Sequence, residues 1–415
     1  MRSFRTIRLT LLGTVLGFAA LAPAYGANTL DAASKRLLAA HGPQGHAFRK
    51  SGIAAPGNSS FTYTDLHDFA GQPDGLSPTA EVTLDGGNLF GTTEGGGANG
   101  EGAIFKVTSD GTESVLYSLA ADGSEGQSPD GALTVTANGD MYGTTSSGIG
   151  AVTGVLFKLS AKGKYKILHA FNYNEGTSIR GKLARDTLGN LYGTALFGGA
   201  PGNGTVFKYS ANGTFSVLHA FNETDGQYPE HGVVRDSAGN LYGVTAFGGA
   251  SGMGAVYKIA SDGTFSTVYS FTGGADGGFL YGSVAIGKDG NLYGSTVLGG
   301  TNSEGTVFKL TPAGTLTTLY NFTGGADGGS AQGDMLVVGK NLYSTTDEGG
   351  DPNCGCGVVY EVTPEGKEKV LHTFVAATGG GYSAGLTKGK HGVLYGTTSS
   401  YGADSSGTVF SIAKN

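Results

Sequence analysis

The sequence has few charged residues and no stretch rich in lysine or arginine. Of 415 residues, 26 are Lys or Arg and 33 are Asp or Glu, which gives a formal net charge of −7. Nucleic acids and anionic membrane surfaces are bound by clustered basic side chains. An acidic chain without such a cluster is therefore expected to bind neither of them.

Long apolar runs are absent after the first 26 residues. The N-terminus carries Arg2, Arg5 and Arg8, continues through an apolar run over Leu9–Leu21 and ends in small residues up to Gly26. This pattern is typical of a secretory signal and is too short for a membrane-spanning helix. We therefore predict a signal peptide at residues 1–26 and an exported mature protein, periplasmic or extracellular, without a membrane span. Loss of three arginines takes the net charge from −7 to −10.

Cysteine is almost absent, because Cys354 and Cys356 are the only two in the chain. In an oxidising compartment they could form a local disulfide across Gly355, or they could bind a metal as a pair. A zinc site usually needs four ligands, so the disulfide is the preferred interpretation. Such a bridge would constrain only one loop and would not stabilise the fold as a whole.

Helical periodicity is absent from the body of the chain, and a repeat of β character takes its place. An aromatic residue, usually preceded by Asn-Leu and followed by Gly-Thr, recurs every 50 to 52 residues. The seven aromatic residues are Phe90, Tyr142, Tyr192, Tyr242, Tyr293, Tyr343 and Tyr395. A period of this size indicates one supersecondary unit that is stacked many times.

Each copy contains four short segments of strand composition. In one copy they are His231–Asp236, Asn240–Thr245, Gly254–Ile259 and Thr264–Phe271, separated by turn residues such as Asp-Gly. Seven such units predict an all-β fold, a seven-bladed β-propeller of four-stranded antiparallel blades. A β-solenoid is the structural rival, but its rungs are normally much shorter than this period.

The two ends of the repeat complement each other. The seventh copy stops after its third segment, Thr408–Ile412, whereas a segment matching the fourth, Tyr63–Phe69, precedes the first copy. The N-terminal strand is therefore expected to complete the last blade and to close the ring. The predicted domains are the signal peptide, a short helix and flexible linker at 27–60, and the propeller at 61–415.

The recurring phrases also resemble a known family. Gly189–Thr194, Gly204–Lys208 and Gly213–His219, repeated in order, are similar to the GloVer tandem repeat of exported bacterial proteins. The resemblance implies export and a repeated β fold, and it implies no activity or catalytic residue. Kelch propellers share the period but depend on a tryptophan in each blade. The chain has no tryptophan, so kelch is an architectural analogue only.

Candidate ligand-binding residues lie where loops meet on one face of the disc. Loops between the second and third strands and loops between blades emerge on the same side, which is the expected binding face. Five inter-blade loops carry Asp-Gly, at Asp74, Asp122, Asp225, Asp276 and Asp327. These carboxylates could surround the channel mouth and hold a cation or sugar hydroxyls, or each could accept hydrogen bonds within its own turn. The second interpretation is preferred, and no calcium-loop signature is present.

Histidine suggests one further candidate. One position in the fourth strand holds histidine in four copies and tyrosine in three, which indicates that this side chain packs within its blade and is not a catalytic or metal-binding residue. The histidines are His67, His169, His219 and His372. In contrast, Arg180, Glu230 and His231 break the repeat near the start of the third and fourth copies. These three side chains are the remaining candidates for a binding or catalytic site.

The sequence favours an exported binding protein that uses one loop face for a ligand, glycan or protein. The alternative is an exported lyase or hydrolase with its site at the channel mouth, which only fold analogy supports. We expect a monomer without a cofactor or metal site, and we assign no catalytic residue.

Overall fold

The computed structural model describes residues 60–148, 150–376, 380–400 and 402–415. The predicted signal peptide (1–26) lies outside the described residues, as does the predicted helix and linker (27–60) apart from Ser60. In the described ranges, no helix combines the length and the apolar character needed to cross a membrane.

The described chain forms seven antiparallel sheets, and the predicted seven-bladed propeller is confirmed. The chain begins with strand β1 (Phe61–Asp68). Blade 1 contains β2 (Thr83–Asp85), β3 (Asn88–Thr93), β4 (Ala103–Val107) and β5 (Glu113–Ser118). Blade 2 contains β6 (Thr134–Val135), β7 (Met141–Thr144), β8 (Val155–Leu159) and β9 (Tyr165–Ala170). Blade 3 contains β10 (Ala184–Arg185), β11 (Leu191–Ala195), β12 (Thr205–Tyr209) and β13 (Phe215–Ala220). Blade 4 contains β14 (Val234–Arg235), β15 (Leu241–Thr245), β16 (Ala255–Ile259) and β17 (Phe265–Ser270).

Blades 5 and 6 follow the same plan, and blade 7 varies it. Blade 5 contains β18 (Ala285–Ile286), β19 (Leu292–Thr296), β20 (Thr306–Leu310) and β21 (Leu316–Asn321). Blade 6 contains β22 (Leu336–Val338), β23 (Asn341–Thr345), β24 (Val358–Val362) and β25 (Glu368–Thr373). Blade 7 contains β26 (Gly380–Ser383), β27 (Thr387–Lys388), β28 (Leu394–Ser400) and β29 (Thr408–Lys414), with a short 3₁₀ turn at Lys390–Gly392.

The N-terminal strand closes the ring, as predicted. Strand β1 pairs antiparallel with β29, from Phe61 opposite Lys414 to Asp68 opposite Thr408. Both β26 and β27 pair with β28 on the inner side of the same sheet. The outermost strand of blade 7 therefore comes from the opposite end of the described chain, and it covers an edge that β29 would otherwise expose.

The glycine of the repeated motif is a packing requirement. A Cβ atom on Gly193 would lie 2.6 Å from the ring of Phe207, its cross-strand partner on β12. A Cβ on Gly243 would lie 2.3 Å from the hydroxyl of Tyr257 on β16. Because both rings are fully buried, the second strand must leave room for the aromatic residue of the third.

The hydrophobic core is divided among the contacts between neighbouring blades. Between blades 3 and 4, for example, Val206 and Phe221 pack with Val233, Leu241 and Tyr257. Each of the seven interfaces has such a cluster of buried residues. Burial of apolar area at these interfaces stabilises the ring without one large central core.

The first strand of each blade is shorter than the sequence pattern predicts. Of the predicted segment His231–Asp236, only Val234–Arg235 pairs with the second strand. The residues before this pair contact the preceding blade instead, because the Thr194 hydroxyl donates to the His231 carbonyl at 2.9 Å. The same contact closes the ring, where the Thr397 hydroxyl donates to the Ala80 carbonyl at 2.8 Å. This extended stretch lies along the central channel and carries the side chains described next.

Candidate functional site

Two repeat positions in the channel define rings of residues, one from each blade. In each blade an apolar residue, such as Val82 in blade 1 or Leu183 in blade 3, comes immediately before the short first strand. The two repeat positions are defined by their distance in sequence from this residue. The residue immediately before it belongs to the inner layer: Glu81, Ala132, Lys182, Gly232, Ser283, Asp334 and Gly385. The residue three places before it belongs to the outer layer: Thr79, Asp130, Arg180, Glu230, Tyr281, Gln332 and Ser383. The outer layer is nearer the face from which the inter-blade loops emerge, because each first strand runs away from those loops.

Two charged pairs cross the channel at the inner layer; one lies within the layer, and the other joins Asp334 to His231, the residue before Gly232. Lys182 Nζ lies 2.7 Å from Glu81 Oε1, and His231 Nδ1 lies 2.9 Å from Asp334 Oδ1. The Ser283 backbone N–H also donates to Asp334 Oδ1, at 2.6 Å. Each charged pair joins blades that are two apart in the ring, blades 1 and 3 or blades 4 and 6. The small residues on the intervening blades leave room for these contacts across the channel.

His231 departs from the repeat at its own position. The equivalent residues in the other six blades are glycine or alanine: Ala80, Gly131, Gly181, Gly282, Gly333 and Ala384. A Cβ atom on Gly181 would lie 2.9 Å from the Cα of His231, so the first strands of blades 3 and 4 are in close contact. The fold therefore favours a small residue here, and only blade 4 carries a large polar one.

The charges of the inner layer balance each other. Burial lowers the pKa of His231, but the neighbouring carboxylate of Asp334 outweighs burial and raises this pKa to about 9. Burial likewise opposes ionisation of Asp334, yet His231 holds the pKa of Asp334 well below its usual range. The pKa of Lys182 is raised by Glu81 despite burial, and burial raises the pKa of Glu81. The side chains of Lys182 and His231 are 41% and 30% exposed, so both reach the water of the channel.

The outer layer is net negative. Arg180 Nε lies 3.0 Å from Asp130 Oδ2, and the carboxylates of Glu94 and Glu230 also act electrostatically on this guanidinium. The Asp130 side chain is only 3% exposed, and neither of its oxygens accepts a hydrogen bond. Burial raises the pKa of Asp130 to about 7 despite Arg180, and burial also raises the pKa values of Glu94 and Glu230. Three carboxyl groups therefore face one guanidinium.

A cavity of about 390 Å³ adjoins the inner layer on the side away from the outer layer. Glu81, Lys182 and Asp334 contribute charged groups to its wall. Most of the remaining wall is apolar, with Ala184, Val234, Ala285, Leu336 and Leu386 among its residues. A volume of this size is within the range of about 300–1,000 Å³ that is common for small-molecule sites.

The five inter-blade aspartates lie apart from the channel charges, each bound within its own loop. Asp225 accepts a hydrogen bond from the Asn222 N–H at 2.9 Å and contacts His219 at 3.1 Å. Asp327 accepts from the Tyr320 hydroxyl at 2.8 Å. In the described residues, no hydrogen bond or ion pair joins any two of these aspartates.

Asp74 and Asp276 make equivalent contacts, whereas in blade 1 Glu125, not Asp122, is the carboxylate that accepts from the fourth-strand Tyr117. Asp74 accepts from the Ala70 N–H at 3.2 Å, and Asp276 accepts from the Thr272 N–H at 2.9 Å. Asp122 accepts from the Ser124 N–H at 3.0 Å. The histidine or tyrosine of the fourth strand thus gains a carboxylate partner in most blades, which gives this position a role in fixing the loop to its blade.

Cys354 and Cys356 form a disulfide in the structure, with their Cα atoms 5.2 Å apart. Over the described ranges, no group of three or more His, Cys, Asp or Glu side chains has an arrangement that could hold a metal ion.

The structure brings together Arg180, Glu230 and His231, which the sequence singled out. It adds five charged residues that the sequence analysis missed: Glu81, Glu94, Asp130, Lys182 and Asp334. For four of them a signal exists in the sequence, because they replace alanine, glycine, serine or another uncharged residue at a fixed register of the repeat. Glu94 lies in the loop between β3 and β4, and only the folded ring shows that it approaches Arg180.

Comparison with known proteins identifies the fold and the family. The extracellular domain of BT4673 from B. thetaiotaomicron, described as a hybrid two component system, matches with a TM-score of 0.55 at 10% identity, over 84% of this chain and 39% of that one. A puromycin hydrolase mutant complexed with PGG matches with a TM-score of 0.51 at 14% identity, over 78% of this chain and 50% of that one. The chain thus spans no more than half the length of either protein, and the similarity shows a shared propeller fold. No match was found among curated protein sequences.

The family assignment rests on the sequence of the repeats themselves. The profile of the Gloeobacter/Verrucomicrobia repeat matches residues 44–236 and 230–415, and the two matches together cover the propeller. The chain therefore belongs to the Gloeobacter/Verrucomicrobia repeat family.

Proposed function

We propose that this protein is an exported binding protein that holds a small polar ligand, or the end of a glycan or peptide, in the channel mouth on the loop face. The N-terminal signal pattern and the family of exported proteins support export. The charged side chains of the two channel layers carry the proposal for binding.

These charges are not needed to build the propeller. Ala132, Gly232, Ser283 and Gly385 fill the same register of the inner layer in four other blades. Burial of charged groups lowers stability unless their partners compensate for the lost hydration. Residues that depart from a local rule at a cost in stability are expected mainly at functional sites. The two charged layers therefore support a ligand site in the channel.

A hydrolase or lyase is the second candidate, and one observation favours it. His231 and Asp334 form the imidazole–carboxylate pair that many enzymes use for proton transfer. However, the pKa of His231 is raised to about 9 by Asp334, so the imidazole is protonated near neutral pH and is a poor general base. A binding role, in which His231 acts as a cation in the channel wall, agrees better with this protonation state.

The proposal is tested with the purified mature protein and panels of glycans, peptides and small polar metabolites. Ligands that raise the melting temperature are then titrated calorimetrically against the wild type, Glu230→Gln and His231→Ala. The matched control is Asp122→Asn, which changes a carboxylate on the same face but outside the channel. Binding that is lost in the channel variants and kept in the control supports the site. Binding that all three variants retain places the ligand elsewhere and rejects the proposal.

The enzyme alternative is tested in the same samples by following product formation over several hours. Turnover by the wild type that disappears in His231→Ala would establish catalysis at the channel. Binding without turnover agrees with the binding role.

A further inference from the structure

Five aromatic residues cluster on the loop face beside the outer layer. This aromatic group consists of Phe197, Tyr228, Phe247, Phe279 and Tyr281. Ring centroids lie 5.1 Å apart for Phe197 and Tyr228, 5.8 Å for Tyr228 and Phe247, and 4.9 Å for Phe247 and Phe279. These distances are typical of aromatic side chains in direct contact. Tyr281 is buried, and the other four members are half-buried.

Two members of the aromatic group occupy a backbone position that disfavours large side chains. Tyr228 and Phe279 have φ angles of 60° and 57°. Four other blades place serine at the same register with φ between 52° and 56°: Ser77, Ser128, Ser178 and Ser330. A bulky residue with positive φ is uncommon and costs conformational energy, and such strain occurs preferentially at functional sites. The ring fold accepts serine here, so its own geometry gives no reason for the aromatic residues.

The other loop residues of the aromatic group also depart from the repeat. Phe197 and Phe247 follow the second strands of blades 3 and 4, at a register where the other blades have the non-aromatic residues Gly95, Ser147, Leu298, Glu348 and Ser400. The departures are therefore confined to consecutive blades on one side of the ring. An aromatic surface on one side of a sevenfold ring fits a single, asymmetric ligand.

The aromatic group is continuous with the outer layer. Tyr281 belongs to that layer, and its ring lies 6.3 Å from the ring of Phe247. Tyr228 precedes Glu230 of the same layer by two residues. A ligand in contact with these rings therefore lies near Glu230, whose carboxyl group acts electrostatically on the buried Asp130, and the oxygens of Asp130 accept no hydrogen bond.

The charges of the outer layer decide among ligand classes. An anion would be repelled by the carboxyl groups of this layer, which outnumber the cations Arg180 and His231 that act on them, and a neutral sugar would bring no positive charge to them. A primary ammonium group supplies three hydrogen-bond donors and one positive charge, and aromatic faces attract cations as well. Resting on the proposed function, we infer that the ligand is an organic amine, with its ammonium group at Glu94, Asp130 and Glu230 and a flat apolar part on the aromatic group.

Three small probes separate the two halves of this inference. Phenethylamine carries the ammonium group and the ring, phenethyl alcohol has the ring alone, and ethylamine has the ammonium group alone. Titration calorimetry of the mature protein at pH 7 is expected to show at least tenfold tighter binding of phenethylamine than of either partial probe. Binding of the amine should also release protons, because a nearby cation lowers the raised pKa of Asp130. Parallel titrations in phosphate and HEPES buffers, neither of which contains a primary amine, measure this release.

Two variants and one control locate the site. Phe279→Ser restores the residue found at this register in four other blades and is therefore expected to fold. It should weaken phenethylamine about tenfold and leave ethylamine unchanged. Asp130→Asn should weaken both amines about tenfold and abolish proton release. Asp122→Asn makes the same change of charge on the same face and should alter neither affinity.

The outcomes also separate this inference from the proposed function. Equal affinity for phenethylamine and phenethyl alcohol, or equal loss of amine affinity in Asp122→Asn and Asp130→Asn, would overturn the amine inference. So would a neutral sugar or a calcium ion that binds at the outer layer when phenethylamine does not, although the binding function would then stand. If no ligand depends on the outer layer, both proposals fail.

Discussion

Asp130→Asn is expected to stabilise the folded protein above neutral pH, although it removes a carboxylate from the proposed site. The Asp130 side chain is 3% exposed, and its oxygens accept no hydrogen bond. Burial raises its pKa from 3.8 to about 7, against the opposing effect of Arg180. The folded state therefore resists ionisation of this carboxyl group, whereas the unfolded state does not.

The sign and size of the effect follow from this difference in pKa. Because the carboxyl group binds its proton more tightly in the folded state, its contribution to stability falls as the pH rises from 3.8 through 7. At about 1.4 kcal/mol per pKa unit, a shift of roughly three units sets a ceiling of about 4 kcal/mol. This shift already includes the attraction of Arg180, but the asparagine amide is itself buried without a hydrogen-bond partner, which takes back about 1–3 kcal/mol. Glu94 and Glu230 remain beside Arg180, so a net gain of about 1–3 kcal/mol is expected above pH 8, or about 1–4 °C in melting temperature.

The assay is thermal unfolding of the wild type and Asp130→Asn at pH values between 5 and 8.5. The variant should melt at a higher temperature than the wild type at the alkaline end, and this difference should narrow as the pH falls to 5. Asp122→Asn is the control, because Asp122 is exposed and its substitution should give no gain that depends on pH. A variant less stable than the wild type at pH 8, or a difference that is constant with pH, would refute the reasoning.

Three further predictions concern the ring itself. Deletion of Phe61–Asp68 removes the outer strand of blade 7, so the melting temperature should fall sharply. The exposed edge of β29 should also promote association, which size-exclusion chromatography measures. An unchanged melting temperature would contradict closure of the ring by this strand. Gly232→Ala places a Cβ 2.0 Å from the Lys182 carbonyl oxygen, so the free energy of unfolding measured in urea should fall by about 2 kcal/mol or more. Gly274→Ala is the control, because its Cβ would be 3.3 Å from the nearest neighbouring atom, and it should change this free energy by less than about 0.5 kcal/mol. Burial lowers the pKa of His372 from 6.5 to about 4, so its contribution to stability is complete above pH 6.5 and is lost as the pH falls from 6.5 to 4. His372→Phe should therefore lose less melting temperature than the wild type between pH 7 and 5, and parallel pH profiles would show that this histidine does not cause acid sensitivity.

The fold could be predicted from sequence because its determinants are local and repeated. Motif glycines such as Gly193 must lie beneath a third-strand aromatic residue, and this requirement recurs at a constant period. The fourth-strand choice of histidine or tyrosine has an equally local cause, since His219 and Tyr320 both reach a carboxylate in the following loop. Each of these relations spans fewer than about twenty residues and is visible in most copies.

The channel contacts could not be predicted in the same way. His231 and Asp334 are more than a hundred residues apart and lie on blades that are not adjacent. Their contact depends on the diameter of the closed ring and on small residues such as Gly232 and Ser283 between them, and neither is a property of a single repeat. The sequence could still have indicated Asp334, because alignment of the copies shows a charged residue where three other blades have Ala132, Gly232 and Gly385.

The symmetry of the ring explains why departures from the repeat are the better functional signal. A feature present in most blades, such as the inter-blade aspartate, is reproduced around the whole disc and creates no unique place for a small ligand. A unique site requires different residues from different blades to meet, as Asp130, Arg180 and Glu230 do in blades 2 to 4. Each such position also has up to six equivalents in the same chain that show what the fold requires there. Where those equivalents are serine or glycine and one blade carries a buried charge or an aromatic ring with positive φ, the cost in stability points to selection for binding.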